Sequence, residues 1–150
     1  MVQPWILDIG CGDNKYPNSL GMDKRQLKNI DIVHDIEDLP WPILSNSFHE
    51  IKMFHVMEHL KPWLTIGIMD EIWRILILGG TLELIMPVAG STAFYSDPTH
   101  IKSWNIHTVE YFNIESNFKK IYNPKPWKVL KNKVNHKEYL EIILEKIDDK

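Results

Sequence analysis

The chain carries a single cysteine, Cys11, in 150 residues, so no internal disulfide can form and no thiolate-rich metal site can be assembled within it. That fits a reducing compartment, and cytoplasmic residence is the expectation. Long apolar runs are also missing: nothing approaches the roughly 18 uninterrupted apolar residues of a membrane span. The apolar opening around Trp5–Ile9 is broken by Asp8 and has no basic region ahead of it, which is not the pattern of a secretory leader. Neither a leader nor a membrane contact is expected. A strong basic excess is absent as well, the formal net charge being −3. Residues 1–110 hold 14 acidic and 8 basic side chains and residues 111–150 hold 6 and 9, so only the last forty residues are mildly positive. No run interleaves basic and aromatic residues regularly enough for a stacking platform, and nucleic acid is not expected as a partner. Internal repeats and low-complexity tracts are lacking too.

What remains is ordinary for a soluble globular protein: 44% hydrophobic and 25% charged residues. The length suits one domain over residues 1–150, able to bury a core without disulfides. Trp5–Ile9 reads as a short buried strand closing on Gly10, and Cys11-Gly12-Asp13-Asn14 as a tight turn. Pro17, Asn18 and Ser19 leave little room for a regular helix between that turn and a second strand over 19–23. A third strand is expected over 30–34 and a fourth over 48–56, separated by a loop punctuated with Pro40 and Pro42. Pro62 can open a helix in which Ile66, Met69, Ile72, Trp73, Leu76 and Ile77 recur at helical spacing. Gly79-Gly80 is expected to stop that helix, with a fifth strand over 81–86. A long polar loop over 88–107, a short helix near 108–117, strand material at 118–122 and 127–134, and a last strand over 138–147 complete the reading. The last two strands would pair as an antiparallel edge.

Strands that close on polar residues are what a parallel sheet presents at its ligand-binding rim. Leu7-Asp8-Ile9-Gly10-Cys11-Gly12 is the sharpest local signal, because two glycines separated by one residue let a ligand lie against the backbone. It lacks the third glycine of a pyrophosphate-binding dinucleotide fingerprint. Asp23 can accept both hydroxyls of a ribose, and Asp35 an exocyclic amine. Either can equally be an ordinary cap or loop aspartate.

Taken in order, Leu-Asp-Ile-Gly-Cys-Gly at 7–12, Gly-Met-Asp at 21–23, His-Asp-Ile-Glu-Asp-Leu-Pro-Trp-Pro at 34–42, Ser-Phe-His-Glu-Ile at 47–51, His-Val-Met-Glu-His-Leu at 55–60 and Glu-Ile-Trp-Arg-Ile-Leu-Ile-Leu-Gly-Gly-Thr-Leu at 71–82 form a series. That series resembles the class I, S-adenosylmethionine-dependent methyltransferases, and looks most like the small type-11-like members of microbial and phage genomes. The resemblance implies a doubly wound, Rossmann-like α/β fold with a seven-stranded, mostly parallel sheet of order 3-2-1-4-5-7-6, strand 7 antiparallel. It implies S-adenosylmethionine as cofactor and S-adenosylhomocysteine as product. Asp8, Gly10, Cys11 and Gly12 would line the methionine end, Asp23 would hold the ribose hydroxyls, Asp35 and Ile36 would recognise adenine, and Leu39 would pack on its ring. His55 would sit beside the reacting sulfonium. Two departures from the family stand out: a shortened first helix and no N-terminal helical cap. The missing cap leaves one side of the cofactor pocket to solvent, to a second copy of the chain in a homodimer, or to a partner subunit.

His55, Glu58 and His59 look superficially like metal ligands, but a zinc metalloprotease needs His-Glu-x-x-His and the order here is His-Val-Met-Glu-His, so no metal is expected. His55 and His59 are expected on one helix face, with Glu58 and His59 capping the next helix. Asp97-Pro-Thr-His100 lies in the long loop on the same rim, where similar segments of the resembled family lie near the acceptor pocket. There His100 can be a general base or part of a polar clasp that orders the loop, and His55 a proton-transfer group or a lining residue. Phe94, Tyr95, Trp104, Tyr111 and Phe112 can form an apolar acceptor wall or simply core, at least half of them being expected to be buried. The function expected is transfer of a methyl group to a small molecule or glycan, since no insertion large enough to bind a polymer is present. The alternative is a non-catalytic scaffold or subunit that retains the fold.

Overall fold

The computed structural model describes residues 5–118 and 120–150. Seven strands form one sheet: β1 (Ile6–Ile9), β2 (Leu20–Asp23), β3 (Ile32–Val33), β4 (Phe48–Phe54), β5 (Leu76–Pro87), β6 (Trp127–Val134) and β7 (Tyr139–Lys146). Their order is β3-β2-β1-β4-β5-β7-β6. The first five run parallel and β7 runs antiparallel to both β5 and β6, as the resemblance implied. β1 is buried from Leu7 to Ile9, the continuous pattern of a strand covered on both faces. β7 alternates instead, with Leu140, Ile142 and Leu144 fully buried between half-exposed neighbours.

The helical layers are thin. Helix α1 (Thr65–Ile75), preceded by a 3-10 turn at Pro62–Leu64, buries Ile68, Met69, Ile72 and Ile75 on one face. Short helices α2 (Thr92–Tyr95) and α3 (Ile106–Glu110) follow β5. No helix among the described residues is long and apolar enough to cross a membrane. The first crossover, from Gly10 to Ser19, contains turns and no helix. It is held by side chains: Asp8 accepts from the Tyr16 amide at 2.8 Å, and Asp31 accepts from the Gly21 amide at 2.7 Å and from Lys15 Nζ at 2.6 Å.

Several boundaries differ from the sequence expectation. The helix stops at Ile75, and Gly79-Gly80 lies inside β5, where β4 advances from Phe48 to Glu50 while β5 advances from Leu76 to Thr81. Gly79 has φ +77°, and a Cβ at Gly80 would fall 2.9 Å from the Ile77 carbonyl and 3.0 Å from that of His49. The two glycines build a bulge against β4, and the apolar Leu76 and Ile77 already belong to the strand. Residues 120–122 are outside any strand, β3 is reduced to two residues, and α3 begins earlier than expected.

The loop between β3 and β4 is fastened to α1 by one carboxylate. Glu71 accepts from the Trp41 amide at 2.7 Å and from Arg74 Nε and Nη2 at 2.9 and 2.6 Å, and the same guanidinium reaches the Ile43 carbonyl at 2.8 Å. Arg74 holds the Glu71 carboxyl below its ordinary value of 4.5, against a smaller opposing effect of burial. Because the folded value is depressed, this stabilisation is complete above the unfolded pKa and is lost as pH falls through the folded one. Glu71→Ala should cost about 2–3 kcal/mol by leaving Arg74 and the Trp41 amide without their acceptor. In thermal melts taken from neutrality down to about pH 3, the difference between the two proteins should shrink toward the acid end.

Candidate functional site

The parallel strands β1, β2, β3 and β4 end side by side, and a cavity of about 560 Å³ opens at those ends. That is where an open parallel sheet binds ligands, and the volume is that of a small-molecule site. Gly10, Asp23, Asp35, Ile36, His55 and His59 contribute to its wall.

Gly10 follows β1 with φ +67° and donates its amide to the Met22 carbonyl at 2.7 Å. A Cβ at this position would meet Val56 Cγ2 at 2.5 Å, so the turn after β1 and the turn after β4 require a glycine between them. Gly12, with φ +56°, donates its amide to Asp23 Oδ2 at 3.1 Å. Asp8, Cys11 and Gly12 are not part of the cavity wall. Burial pushes the Asp8 carboxyl up, against the hydrogen bond from Tyr16. Cys11 packs its sulfur against Gly21, where a Cβ would lie 2.7 Å away, and burial together with Asp8 and Asp23 raises its thiol to about 11. It is therefore a protonated packing group at neutral pH.

Asp23 closes β2 and is buried, yet it contributes to the cavity wall. Besides Gly12, it accepts from the Arg25 amide at 2.9 Å and from Arg25 Nε and Nη2 at 3.0 and 3.2 Å. The guanidinium holds this carboxyl below the usual aspartate range. Arg25 was not singled out from the sequence, although its position two residues beyond Asp23 is the turn spacing at which a side chain can fold back. Asp35 is exposed, with one oxygen accepting from the Glu37 amide at 3.0 Å. Ile36 is buried and its carbonyl accepts from Trp41 Nε1 at 2.9 Å. Leu39 is not in the cavity wall and packs toward Gly67 of α1.

His55 follows β4 in the left-handed region, φ +56°, its amide bonded to the Ile85 carbonyl at 2.8 Å. The ring is half exposed, meets Tyr139 edge-on at 4.9 Å, and places Nδ1 3.6 Å from Glu58 Oε1. A 3-10 turn at Met57–His59 carries Glu58 and His59. His55 thus precedes this turn, and it shares no helix face with His59. Glu58 and His59 do not cap α1 either, whose N-cap residue is Leu64. The loop after β5 returns to the site: Ile101 and Lys102 donate amides to the Glu58 carbonyl, and Thr99 lines the cavity. His100 lies behind His59, with ring centroids 4.7 Å apart, and donates Nδ1–H to the Phe94 carbonyl at 2.7 Å. Of the five aromatics considered for an acceptor wall, Trp104 and Phe112 stack in the core and Tyr95 is 74% exposed.

No family model matches the sequence, and no curated protein matches it. Solved structures do. An S-adenosylmethionine-dependent methyltransferase from Archaeoglobus fulgidus aligns over 94% of this chain and 85% of its own, with TM-score 0.67 and 18% identity. The fold is that of the class I methyltransferases. A second structure with the methyltransferase fold is the 1,6-didemethyltoxoflavin-N1-methyltransferase of Burkholderia thailandensis, bound to 1,6-didemethyltoxoflavin and S-adenosylhomocysteine. It matches over 95% of this chain and 71% of its own, with TM-score 0.69 and 12% identity. A third, from a complex between the Trm112 methyltransferase activator of Haloferax volcanii and a methyltransferase, matches over 95% and 82%, with TM-score 0.66 and 10% identity. At these identities the shared property is the methyltransferase fold.

Replacing Gly10 tests the turn on which the rim is built. Gly10→Ala must hold a side chain at positive φ and displace Val56, and should cost about 3 kcal/mol in chemical denaturation. Gly90→Ala, with φ +82° but nothing within 4 Å of its added Cβ, serves as the control and should cost only the backbone part, about 1 kcal/mol.

Proposed function

We propose that the chain binds S-adenosylmethionine in this cavity and transfers its methyl group to a small-molecule or glycan acceptor. The observation that carries the reading is the placement of Asp23: a buried, ionised carboxylate at the end of β2, tied to the Gly12 amide of the turn after β1, on a cavity that Asp35 and Ile36 also line. An ionised carboxylate accepts hydrogen bonds only, which suits the two hydroxyls of a ribose. Asp35 and Ile36 would then serve the adenine, while Gly10 and His55 would border the methionine end. Asp8, Cys11 and Leu39 would act from behind the wall, Asp8 by holding the segment at Tyr16 and Leu39 by seating the adenine loop on α1.

When bound, the cofactor supplies an already activated methyl group, so direct displacement needs no covalent enzyme intermediate. The chain's contribution is alignment and exclusion of water. Of the two roles open to His100, ordering of the loop is the one its contacts support, since Nδ1 is tied to Phe94 and Nε2 faces Glu58 at 3.9 Å. The Burkholderia neighbour is bound to the small molecule 1,6-didemethyltoxoflavin and the Haloferax neighbour is in complex with an activator, which supports a small acceptor and a partner subunit or second copy of the chain. A cytoplasmic setting is the localisation that goes with this reading.

The Arg25 guanidinium stands where a ribose would need Asp23, and it is more than half exposed, so it is free to withdraw. Isothermal titration with S-adenosylmethionine and S-adenosylhomocysteine, with NADH as the control, should give dissociation constants of about micromolar order for the first two only. Asp23→Ala should weaken both at least about tenfold, the loss of a charge-assisted hydrogen-bonding group. Arg25→Ala should leave them unchanged or tighten them a few fold by removing the competing ion pair. A folded chain that gives no heat with either ligand overturns the reading.

A further inference from the structure

The side chain of Glu58 is 1% exposed, and neither carboxylate oxygen has a hydrogen-bond partner. Burying an ionised carboxylate in that state is strongly unfavourable unless a charge compensates it. The nearest buried ammonium does not do so by contact: Lys102 Nζ is engaged by Thr65 Oγ1 at 2.9 Å and Met57 Sδ at 3.2 Å. What Glu58 faces is imidazole. His100 Nε2 is 3.9 Å from Oε1 and His55 Nδ1 is 3.6 Å from the same oxygen, both too long for hydrogen bonds. One ring nitrogen from His59, one from His100 and a Glu58 oxygen all lie within 4.8 Å of one another. Two ligands held by one tetrahedral ion at about 2.1 Å stand about 3.4 Å apart, so these separations fit a shared cation after a small contraction better than they fit direct contact.

The two imidazole rings are oriented by hydrogen bonds from outside the cluster. His100 donates from Nδ1 to the Phe94 carbonyl, which turns Nε2 toward Glu58, 3.9 Å away, and Asp97, 3.7 Å away. Thr99 commits its only hydrogen to Asp97 Oδ1 at 2.6 Å, so toward His59 Nδ1, 3.1 Å away, it accepts, and Nε2 is the His59 ring nitrogen free of that contact. Imidazoles oriented by one nitrogen donating to a carbonyl or to a carboxylate-linked hydroxyl are the arrangement seen around metal-binding histidines. We propose that Glu58, His59 and His100 bind a divalent cation of the zinc class. Two imidazoles and a carboxylate, with no thiolate, suit Zn²⁺ and Co²⁺ better than Mg²⁺ or Ca²⁺. The sequence spacing at 55–59 hid this site because its third ligand arrives on the loop after β5.

The site borders the cavity, whose wall includes His59 and Thr99. A cation there is placed to polarise an oxygen of the acceptor, and this consequence alone rests on the methyl-transfer reading.

The test uses the whole chain stripped with a chelator. Titration with Zn²⁺ should show one equivalent bound, and Co²⁺ should give the visible absorption of a nitrogen- and oxygen-ligated ion. Glu58→Gln and His59→Ala should each lower the Zn²⁺ affinity at least about tenfold. His59 is partly exposed, so its variant tests the site even where the buried Glu58→Gln change disturbs folding, which circular dichroism reports. A folded chain without saturable Zn²⁺ binding, or with equal affinity in wild type and His59→Ala, overturns the proposal. S-adenosylhomocysteine affinity measured on the same metal-free preparation reads the cofactor proposal separately, so either can fail while the other stands.

Discussion

Everything at the rim depends on β1 being hydrogen-bonded on both sides, to β2 and to β4, and ending in a left-handed turn. A four-residue strand so placed has no freedom of register: Leu7 and Ile9 must enter the core, and the chain must leave the sheet at Gly10. The parallel pairing then brings the ends of β2 and β4 beside it, so that Met22, Gly10 and Val56 become neighbours although distant in sequence. The cavity is the space this arrangement leaves above the strand ends, where no further strand residue can fill it.

In most doubly wound sheets, helices hold the crossovers in place. Here the first two crossovers are short loops, and carboxylates take over that task. Asp8 fixes the Tyr16 amide, Asp31 fixes the Gly21 amide and Lys15, and Asp23 fixes the amides of Gly12 and Arg25. On the other side of the sheet Glu71 fixes the loop before β4 to α1. A small chain that gives up helical area must satisfy loop amides with side chains, and an aspartate at a strand end serves backbone and ligand alike. Asp8 meets its amide away from the cavity wall, whereas Asp23 meets its two amides on that wall.

This division explains what could be read from the amino-acid sequence. The buried strands, their order under the family resemblance and the position of the Gly-x-Gly turn were legible because each rests on a local pattern of apolar residues and glycines. Asp8 and Asp23 are both visible as carboxylates of short strands, but nothing local says which one lies on the cavity wall, since that depends on the course of the loops whose amides each accepts. The end of α1 was misread because Leu76 and Ile77 continue the helical spacing of apolar residues while belonging to a buried strand, where apolar residues are equally at home. His55 was read as helical because a left-handed residue after a strand has no signature in a non-glycine side chain. The meeting of Glu58 with His100 was invisible for a different reason: it is made by a loop whose course is set by the Glu58 carbonyl accepting the amides of Ile101 and Lys102.

The pair formed by Asp23 and Arg25 shows how such a site can be both prepared and closed. The carboxylate is immobilised by two backbone amides, which fix its position whether or not anything else is bound. The guanidinium adds two more hydrogen bonds and keeps the group ionised, but its side chain is largely in water, where solvent screens an ion pair and weakens it. Displacing it therefore costs little compared with building the acceptor anew, and the hydrogen bonds it releases are those a vicinal diol can remake. A buried arginine at the same place would have locked the carboxylate, and no arginine would have left it to water. An exposed one leaves Asp23 oriented and charged, and it is the surface position of Arg25, more than its presence, that would let this carboxylate exchange a guanidinium for a vicinal diol.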